Sequence, residues 1–498
     1  MAQQLPAIIV IAPLVISFLI FFSGLWHKRI AYPLAVMAMS ICLLASVGIL
    51  QWVIVDGTIS YWLGGWQPPW GIEYRIDHLN AVMLVIVSVL GLLATVQANS
   101  SVARELPEKT TLFWSLYILM ITGLLGICIT GDLFNLFVLL EVASLTGYAL
   151  ISMGEKGALY ASFRYIIFGT IGASFYLLGV GYLYLASGSL NMADLSQLLP
   201  KLYHSKAVLA GFAFIFIGLS IKMGLFPLHG WLPDAYTCAP SAVSAAVAPL
   251  VTKVMAYVIF RLIFTVFSPE FTILILRVTD AMIWIGTLAI FFGAVMALSQ
   301  KDYKRMLSYI VIAEIGYIIG GIGVANTTAL KGAIFHIVND ALMVACLFSV
   351  AGLVMHKTHG HRIDDFKGIF RNMPITAVVF TVGALAVIGV PPTCGFFSKW
   401  YLLLGGIKAG QWAFVTALLV STLINVALFC KIFDRGLYVH GQHTEPYGVR
   451  PGYSHNSLEA PLSMLLPAVV LALAILLVGI FNQAIINNLI GYAVPSGL

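Results

Sequence analysis

Long apolar stretches separated by short polar ones organise the chain from end to end. A helix rises about 1.5 Å per residue, so crossing a hydrocarbon layer about 30 Å thick takes about 20 apolar residues. Runs of that kind begin near Leu5, Ile30, Leu79, Thr111, Leu133, Ser162, Ala207, Ser241, Phe271, Arg305, Thr328, Pro374, Gln411 and Pro461, fourteen in all. Strands of a membrane barrel need only about 10 residues and alternate in polarity, which these runs do not. The pattern predicts an all-α integral membrane protein of fourteen transmembrane helices, a single membrane domain over residues 1–498. Polar excursions are few. Asp56 to Asp77, containing WLGGWQPPWGIEYRID, predicts a structured cap at the membrane interface, where tryptophan is favoured. His356–Arg371 and Asp434–Glu459 read as solvated loops.

Composition agrees, with 60% hydrophobic and 9% charged residues, against about 25% charged in soluble domains. Charge then orients the chain. No basic residue precedes the first run, and His27, Lys28 and Arg29 follow it, which excludes a cleavable signal peptide with a positive leader. The positive-inside rule places the amino terminus outside and this loop in the cytoplasm. Alternating onwards gives fifteen Lys and Arg in cytoplasmic loops against five outside, and an even number of helices returns the carboxyl terminus to the outer side. The expected location is the plasma membrane of a prokaryote. A net charge of +6 thus reflects topology and gives no support to nucleic-acid binding. Cys42, Cys128, Cys346, Cys394 and Cys430 lie in apolar runs, Cys238 lies at a helix start, and none forms a C-x-x-C pair. Iron–sulfur, zinc and disulfide readings are therefore weak. The HKTHGH run of His356, His359 and His361 matches no closed zinc site. With no flavin fingerprint and no P-loop either, no cofactor or metal is expected in this chain.

The informative residues are the ionisable ones inside apolar runs. A charge at the bilayer centre costs about 2.5 kcal/mol or more, and such residues mark ion routes. They are Glu141 in the fifth run, Lys222 in the seventh, Lys253 in the eighth, Asp280 in the ninth, Glu314 in the tenth, His336 and Asp340 in the eleventh and Lys399 in the twelfth. Asp280, and Lys431 near the end of the thirteenth, are close enough to helix ends to snorkel. Glu141, Lys222 and Lys253 are too deep for that.

Spacing adds a second signal. Glu141 to Glu314 is 173 residues, Lys222 to Lys399 is 177, and Lys253 to Lys431 is 178, an offset of five helices. An odd number of helices reverses orientation, so such a repeat has inverted topology, an architecture common in transporters. The expected repeats run over residues 111–267 and 271–435, with flanking helices in 1–110 and 436–498. Each half also carries a helix breaker near its lysine: Pro227 follows Lys222, while Pro391 and Pro392 precede Lys399. Proline lacks the N–H that a helix needs and clashes with the preceding turn. Breaks at corresponding places of two halves point to a translocation site.

The residue types select the ion. A desolvated lysine holds its proton less firmly and a nearby carboxylate restores it, so a Lys–Glu pair is a switchable proton site. Sodium would call for clustered carboxylates and carbonyls instead. The sequence thus predicts proton transfer through Glu141, Lys222, Lys253, His336 and Lys399, bridged by water and hydroxyl groups in two half-channels. Glu314, Asp340 and Lys431 are further relay candidates. His229 and Asp234 lie at the cytoplasmic end of GLSIKMGLFPLHGWLPD, where they feed or cap the route.

The runs GDLFNLFVLLEVASLTGYAL, KMGLFPLHGWLPDAYTCAPSAVSAAVAPLVTK, KDYKRMLSYIVIAEIGYI and GVPPTCGFFSKW occur in order along the chain. Together they resemble the antiporter-like subunits of respiratory complex I, of membrane-bound hydrogenases and of Mrp-type cation/proton antiporters. The form GDLFNLFVLLE looks most like the D subunit of the Mrp type. The resemblance implies fourteen helices, inverted five-helix repeats with broken helices seven and twelve, and proton transfer through Glu141, Lys222, Lys253 and Lys399. It also implies that His336 connects the half-channels. Asp340 stands where many relatives carry a second histidine, Val344 where many carry lysine, and Glu314 where glutamine or histidine is frequent, which makes the middle of the route more acidic. The implied partners are other membrane subunits, protons, lipid and, in an Mrp-type assembly, sodium. Two couplings follow, cation antiport and electron transfer in a complex-I-like or hydrogenase-like enzyme, with antiport preferred. A non-conducting scaffold and a self-contained carrier of organic solutes are the competing classes. The lysines beside helix breaks count against the first, and the lack of a distinct aromatic and hydrogen-bonding cluster counts against the second.

Overall fold

The structure, a computed structural model, describes residues 4–154, 157–437 and 459–495. Helices α1 (Leu5–Gly24) and α2 (Ala31–Asp56) lead into a hairpin of β1 (Ile59–Trp62) and β2 (Glu73–Ile76). Then come α3 (His78–Glu105), α4 (Thr110–Ile129), α5 (Leu133–Ser152), α6 (Ala158–Ser187), the short α7 (Met192–Leu198), α8 (Lys206–Met223), α9 (Leu232–Cys238) and α10 (Ser241–Arg261). The rest is α11 (Val278–Ser299), α12 (Tyr303–Val324), α13 (Thr327–Thr358), α14 (Ile369–Asn372), α15 (Pro374–Ile388), α16 (Cys394–Lys408), α17 (Trp412–Leu437), α18 (Leu462–Ile480) and α19 (Asn482–Asn488). Among the described residues, 13 helices are long and apolar enough to cross a membrane, and the apolar α15 is shorter. The run expected to form the twelfth helix is the broken pair α15 and α16. The protein is a multi-pass, mainly helical membrane protein.

Local chemistry sets the helix ends. Asp132, Asp302 and Asn326 cap α5, α12 and α13, each accepting a hydrogen bond from the backbone N–H three residues on. Such a cap contributes about 1 kcal/mol. Glu459 caps α15 from a distance, accepting from the Ile375 and Thr376 N–H groups at 2.6 and 3.2 Å. The ninth run departs from expectation at its start. Glu270–Ile275 is a π-helical turn, Arg277 takes a left-handed φ of 48°, and α11 begins only at Val278.

Two expectations outside the helices change. The Asp56–Asp77 excursion is the β-hairpin, with Ile59 opposite Ile76 and Trp66 and Trp70 exposed. The HKTHGH loop is docked rather than freely solvated: Tyr303 N–H donates to the His361 carbonyl at 2.8 Å, Ile363 N–H donates to the Lys301 carbonyl at 3.0 Å, and Arg104 contacts His359. Lys156 and residues 438–458, including Arg450 and most of the Asp434–Glu459 loop, lie outside the described residues. Cys238 closes α9 instead of opening a helix, and all six cysteines are free.

Burial sorts the helices. The most apolar stretches of α12 and α13 are buried throughout and that of α10 almost so, whereas α1, α2, α6, α11, α17 and α18 bury less than half of theirs. Three helices therefore form a shielded axis, and the others present an apolar face outwards, as a lipid solvent requires. Glycine permits the closest crossings. A Cβ on Gly218 of α8 would stand 2.5 Å from the Gly172 carbonyl oxygen of α6. Membrane helices associate through such small-residue contacts.

Candidate functional site

The seventh run ends its first helix directly after Lys222. Gly224 takes φ 73°, a left-handed conformation that costs glycine little, and the chain runs without helix until Leu232. In the twelfth run Gly389 takes φ 90° and α16 starts at Cys394. Both breaks stand where the prolines require, but the lysines sit differently: Lys222 closes the helix before its break, and Lys399 lies in the second turn after its own.

Three clusters of ionisable groups result. In the first, the Lys222 ammonium donates to Glu141 Oε1 at 2.9 Å, to Ser144 Oγ at 2.8 Å and to the Tyr148 hydroxyl at 3.2 Å. Lys222 is 3% exposed and Glu141 25%. Ser144 and Tyr148 follow Glu141 by three and seven residues, which places all three on one face of α5.

The second cluster lies on the axis. Lys253 Nζ of α10 stands 2.8 Å from Asp340 Oδ2 of α13, with both side chains essentially unexposed. The contact is ionic and off the angle of a good hydrogen bond, and neither Asp340 oxygen has a hydrogen-bond partner among the described residues. The ammonium also faces the Ala248 carbonyl at 3.4 Å.

In the third, Glu314 of α12 bridges two bases. Its Oε2 is 2.6 Å from His336 Nε2, and its Oε1 is 3.4 Å from Lys399 Nζ. His336 Nδ1 pairs with Ser398 Oγ at 2.9 Å, which holds the ring. Lys399 also donates to the Val387 carbonyl at the end of α15 and lies 4.8 Å over the Tyr317 ring. Glu314 and His336 are wholly buried. His336 and Asp340 are one turn apart on α13, so the second and third clusters share a helix face.

Of the residues that sequence singles out, Glu141 and Lys222 meet, Lys253 meets Asp340, and Glu314, His336 and Lys399 meet. Others stay apart. Asp234 is held by Arg164 and, at 3.3 Å, by Arg305. His229 lies among Phe226 and Phe292, and its Nδ1 has no hydrogen-bond partner among the described residues. Lys431 is exposed on α17 and joins none of the clusters, so the third spacing pair has no counterpart in contacts. Sequence reasoning did not name Ser144, Tyr148, Tyr317 or Ser398. Their signal was present, since Tyr317 follows Glu314 by one helical turn and Ser398 precedes Lys399. Among the described residues no group of three or more His, Cys, Asp or Glu gathers that could hold a metal ion.

Comparison with known proteins gives the arrangement its family. The chain is 43% identical over 504 aligned positions to an NADH-quinone oxidoreductase subunit N of Desulforudis audaxviator, covering 99% of both chains. It is 32% identical to the D subunit of a Na(+)/H(+) antiporter of Alkalihalophilus pseudofirmus, covering 88% of each. A chain of the membrane-bound sulfane sulfur reductase, an archaeal respiratory membrane complex, superposes with a TM-score of 0.89 at 28% identity, covering 98% of this chain and 96% of that one. Residues 130–425, which hold all three clusters, match the family described as NADH:quinone oxidoreductase/Mrp antiporter, TM, and this protein belongs to that family as an antiporter-like membrane subunit.

Proposed function

We propose that this chain moves protons across a prokaryotic plasma membrane as one subunit of a larger membrane complex, through Glu141, Lys222, Lys253, Asp340, His336, Glu314 and Lys399. The observation that carries this reading is the set of three acid–base clusters within the membrane helices, two of which stand at helix breaks. Each pairs a proton donor with an acceptor within 3.4 Å, and a proton added or lost at one changes the charge that holds the next. Asp340 and Glu314, the positions where the chain departs from many relatives, are the acids that face Lys253, His336 and Lys399.

The meeting of Glu141 with Lys222 and of Glu314 with Lys399 supports inverted repeats over residues 111–267 and 271–435. Reading the broken pair α15 and α16 as one more span gives fourteen, and with an even number the excess of Lys and Arg in the expected cytoplasmic loops puts both termini outside. A neighbouring subunit follows from the surface of α5. Glu141 shares its face with Phe134, Val138 and Leu145, all exposed. A part-exposed carboxylate among lipid tails is costly, and a partner that covers this face removes the cost.

Two energy sources fit. The relative at 43% identity over the full length is a subunit of a quinone oxidoreductase, which favours coupling to electron transfer in partner subunits. The antiporter relative at 32% supports exchange of protons for sodium, the coupling preferred from sequence. Inverted membrane vesicles separate them. Acidification that requires an electron donor establishes redox coupling. A pH gradient collapsed by sodium alone establishes antiport, and neither response would overturn proton translocation.

A further inference from the structure

No contact described so far joins the Lys222–Glu141 cluster to Lys253 and Asp340. A series of aromatic contacts through tyrosines of three helices leads away from Tyr148. Tyr148, which accepts a hydrogen bond from Lys222, meets the Tyr165 ring of α6 edge-on at 4.5 Å. Tyr165 stacks on Trp231 at 4.0 Å, and Trp231 meets Tyr236 of α9 edge-on at 6.1 Å. Trp231 is fixed by its indole N–H, which donates to the Ile221 carbonyl at 2.9 Å.

Tyr236 is 0% exposed, and its hydroxyl has no hydrogen-bond partner among the described residues. Thr252, on α10 and next in sequence to Lys253, is equally buried, and its hydroxyl interacts with that of Tyr236 without the geometry of a full hydrogen bond. Asp340, whose Oδ2 is ion-paired with Lys253, contributes Oδ1 as a further oxygen without a partner among the described residues. A buried polar group left without a full partner costs the fold stability. Phenylalanine at Tyr236 and valine at Thr252 would pack the same space without that cost. Hydroxyls gathered here beside a carboxylate make a polar site able to hold internal water and to pass protons.

We propose that Tyr148, Tyr165, Tyr236 and Thr252, together with internal water, form a hydroxyl relay between the Lys222–Glu141 pair and the Lys253–Asp340 pair. The inference rests on the reading that these pairs carry protons. At each hydroxyl an incoming proton bonds to an oxygen lone pair while the O–H bond already there breaks and its proton moves to the next acceptor. The oxygen ends neutral, no electron is transferred, and rotation about the C–O bond resets the group. The route runs through α9, the helix on the far side of the first break, so the broken helix contributes to both ends of the transfer.

The test is proton translocation by the purified, assembled complex in liposomes. Tyr236→Phe is expected to slow translocation by about tenfold or more and to lower the solvent deuterium isotope effect, while co-purification of the partner subunits is unchanged. Thr252→Val, nearly isosteric, is expected to slow it as well and serves if Tyr236→Phe fails to assemble. A purely structural role predicts the reverse for Tyr236, with Phe silent and Ala damaging. Full rates in both Tyr236→Phe and Thr252→Val, alongside an inactive Lys222→Met, overturn the relay alone. A full rate in Lys222→Met overturns the reading beneath it.

Discussion

The two lysine–glutamate clusters use the same chemistry under different shielding. Lys222 has three polar partners, and its glutamate is a quarter exposed on the outer face of α5. Lys399 has a glutamate that is wholly buried, shared with a histidine and more distant at 3.4 Å. A part-exposed acid can exchange protons with whatever covers it. A sealed acid can trade only with the groups around it, here His336 and Lys399, of which Lys399 is itself 11% exposed. The difference teaches that the two acids differ in access, with Glu141 open to the surroundings and Glu314 closed upon the axis.

Removing a sealed charge gives the largest expected effect. Glu314→Gln leaves the Lys399 ammonium without its carboxylate in a buried site, where breaking one partner of an ion pair costs about 3–5 kcal/mol. Thermal unfolding in detergent should begin well below that of the parent, and translocation should be lost. A variant that stays as stable as the parent would show that the third cluster is not sealed.

That contrast was only half legible in the sequence. Charges too deep to snorkel picked out Glu141, Lys222 and Lys253, and helix starts other than that of the ninth run fell within a few residues of the apolar runs because hydrophobic length sets them. The pairing of Lys253 with Asp340 was not legible. It joins α10 to α13 across 87 residues, and no local periodicity reports such a contact. Lys431 shows the opposite failure, since its spacing matched while packing turned it outwards. The docking of the HKTHGH loop and the π-turn before α11 depend on tertiary contacts and backbone geometry that composition does not encode.

Glu141→Gln sharpens the comparison from the open side. The glutamine still accepts from Lys222 and remains partly solvated, so assembly should survive with a stability change of about 1 kcal/mol or less, while translocation falls at least about tenfold. Co-purification of partner subunits and liposome acidification read the two separately. Unfolding comparable to Glu314→Gln would erase the distinction between open and sealed acids.

The smallest effect is expected far from both clusters. At the start of α3, burial pushes the Asp77 carboxyl up, but the Arg261 charge and hydrogen bonds outweigh burial and hold it below the ordinary carboxylate range. A depressed carboxyl contributes stability that is present above its unfolded pKa, near 4, and is lost as pH falls through the folded value. Asp77→Asn keeps the helix cap and removes the charge. At neutral pH it should lower the Tm by about 1–2 °C, a deficit that disappears in acid, with translocation unchanged.

The central claim is that Lys222 carries protons rather than merely packing α8 against α5. Methionine matches the length and apolar stem of lysine and has no proton to give. In liposomes holding the assembled complex, driven by its electron donor or by a sodium gradient, the account predicts that Lys222→Met assembles with its partners and translocates no protons. Undiminished translocation by that variant would contradict the account.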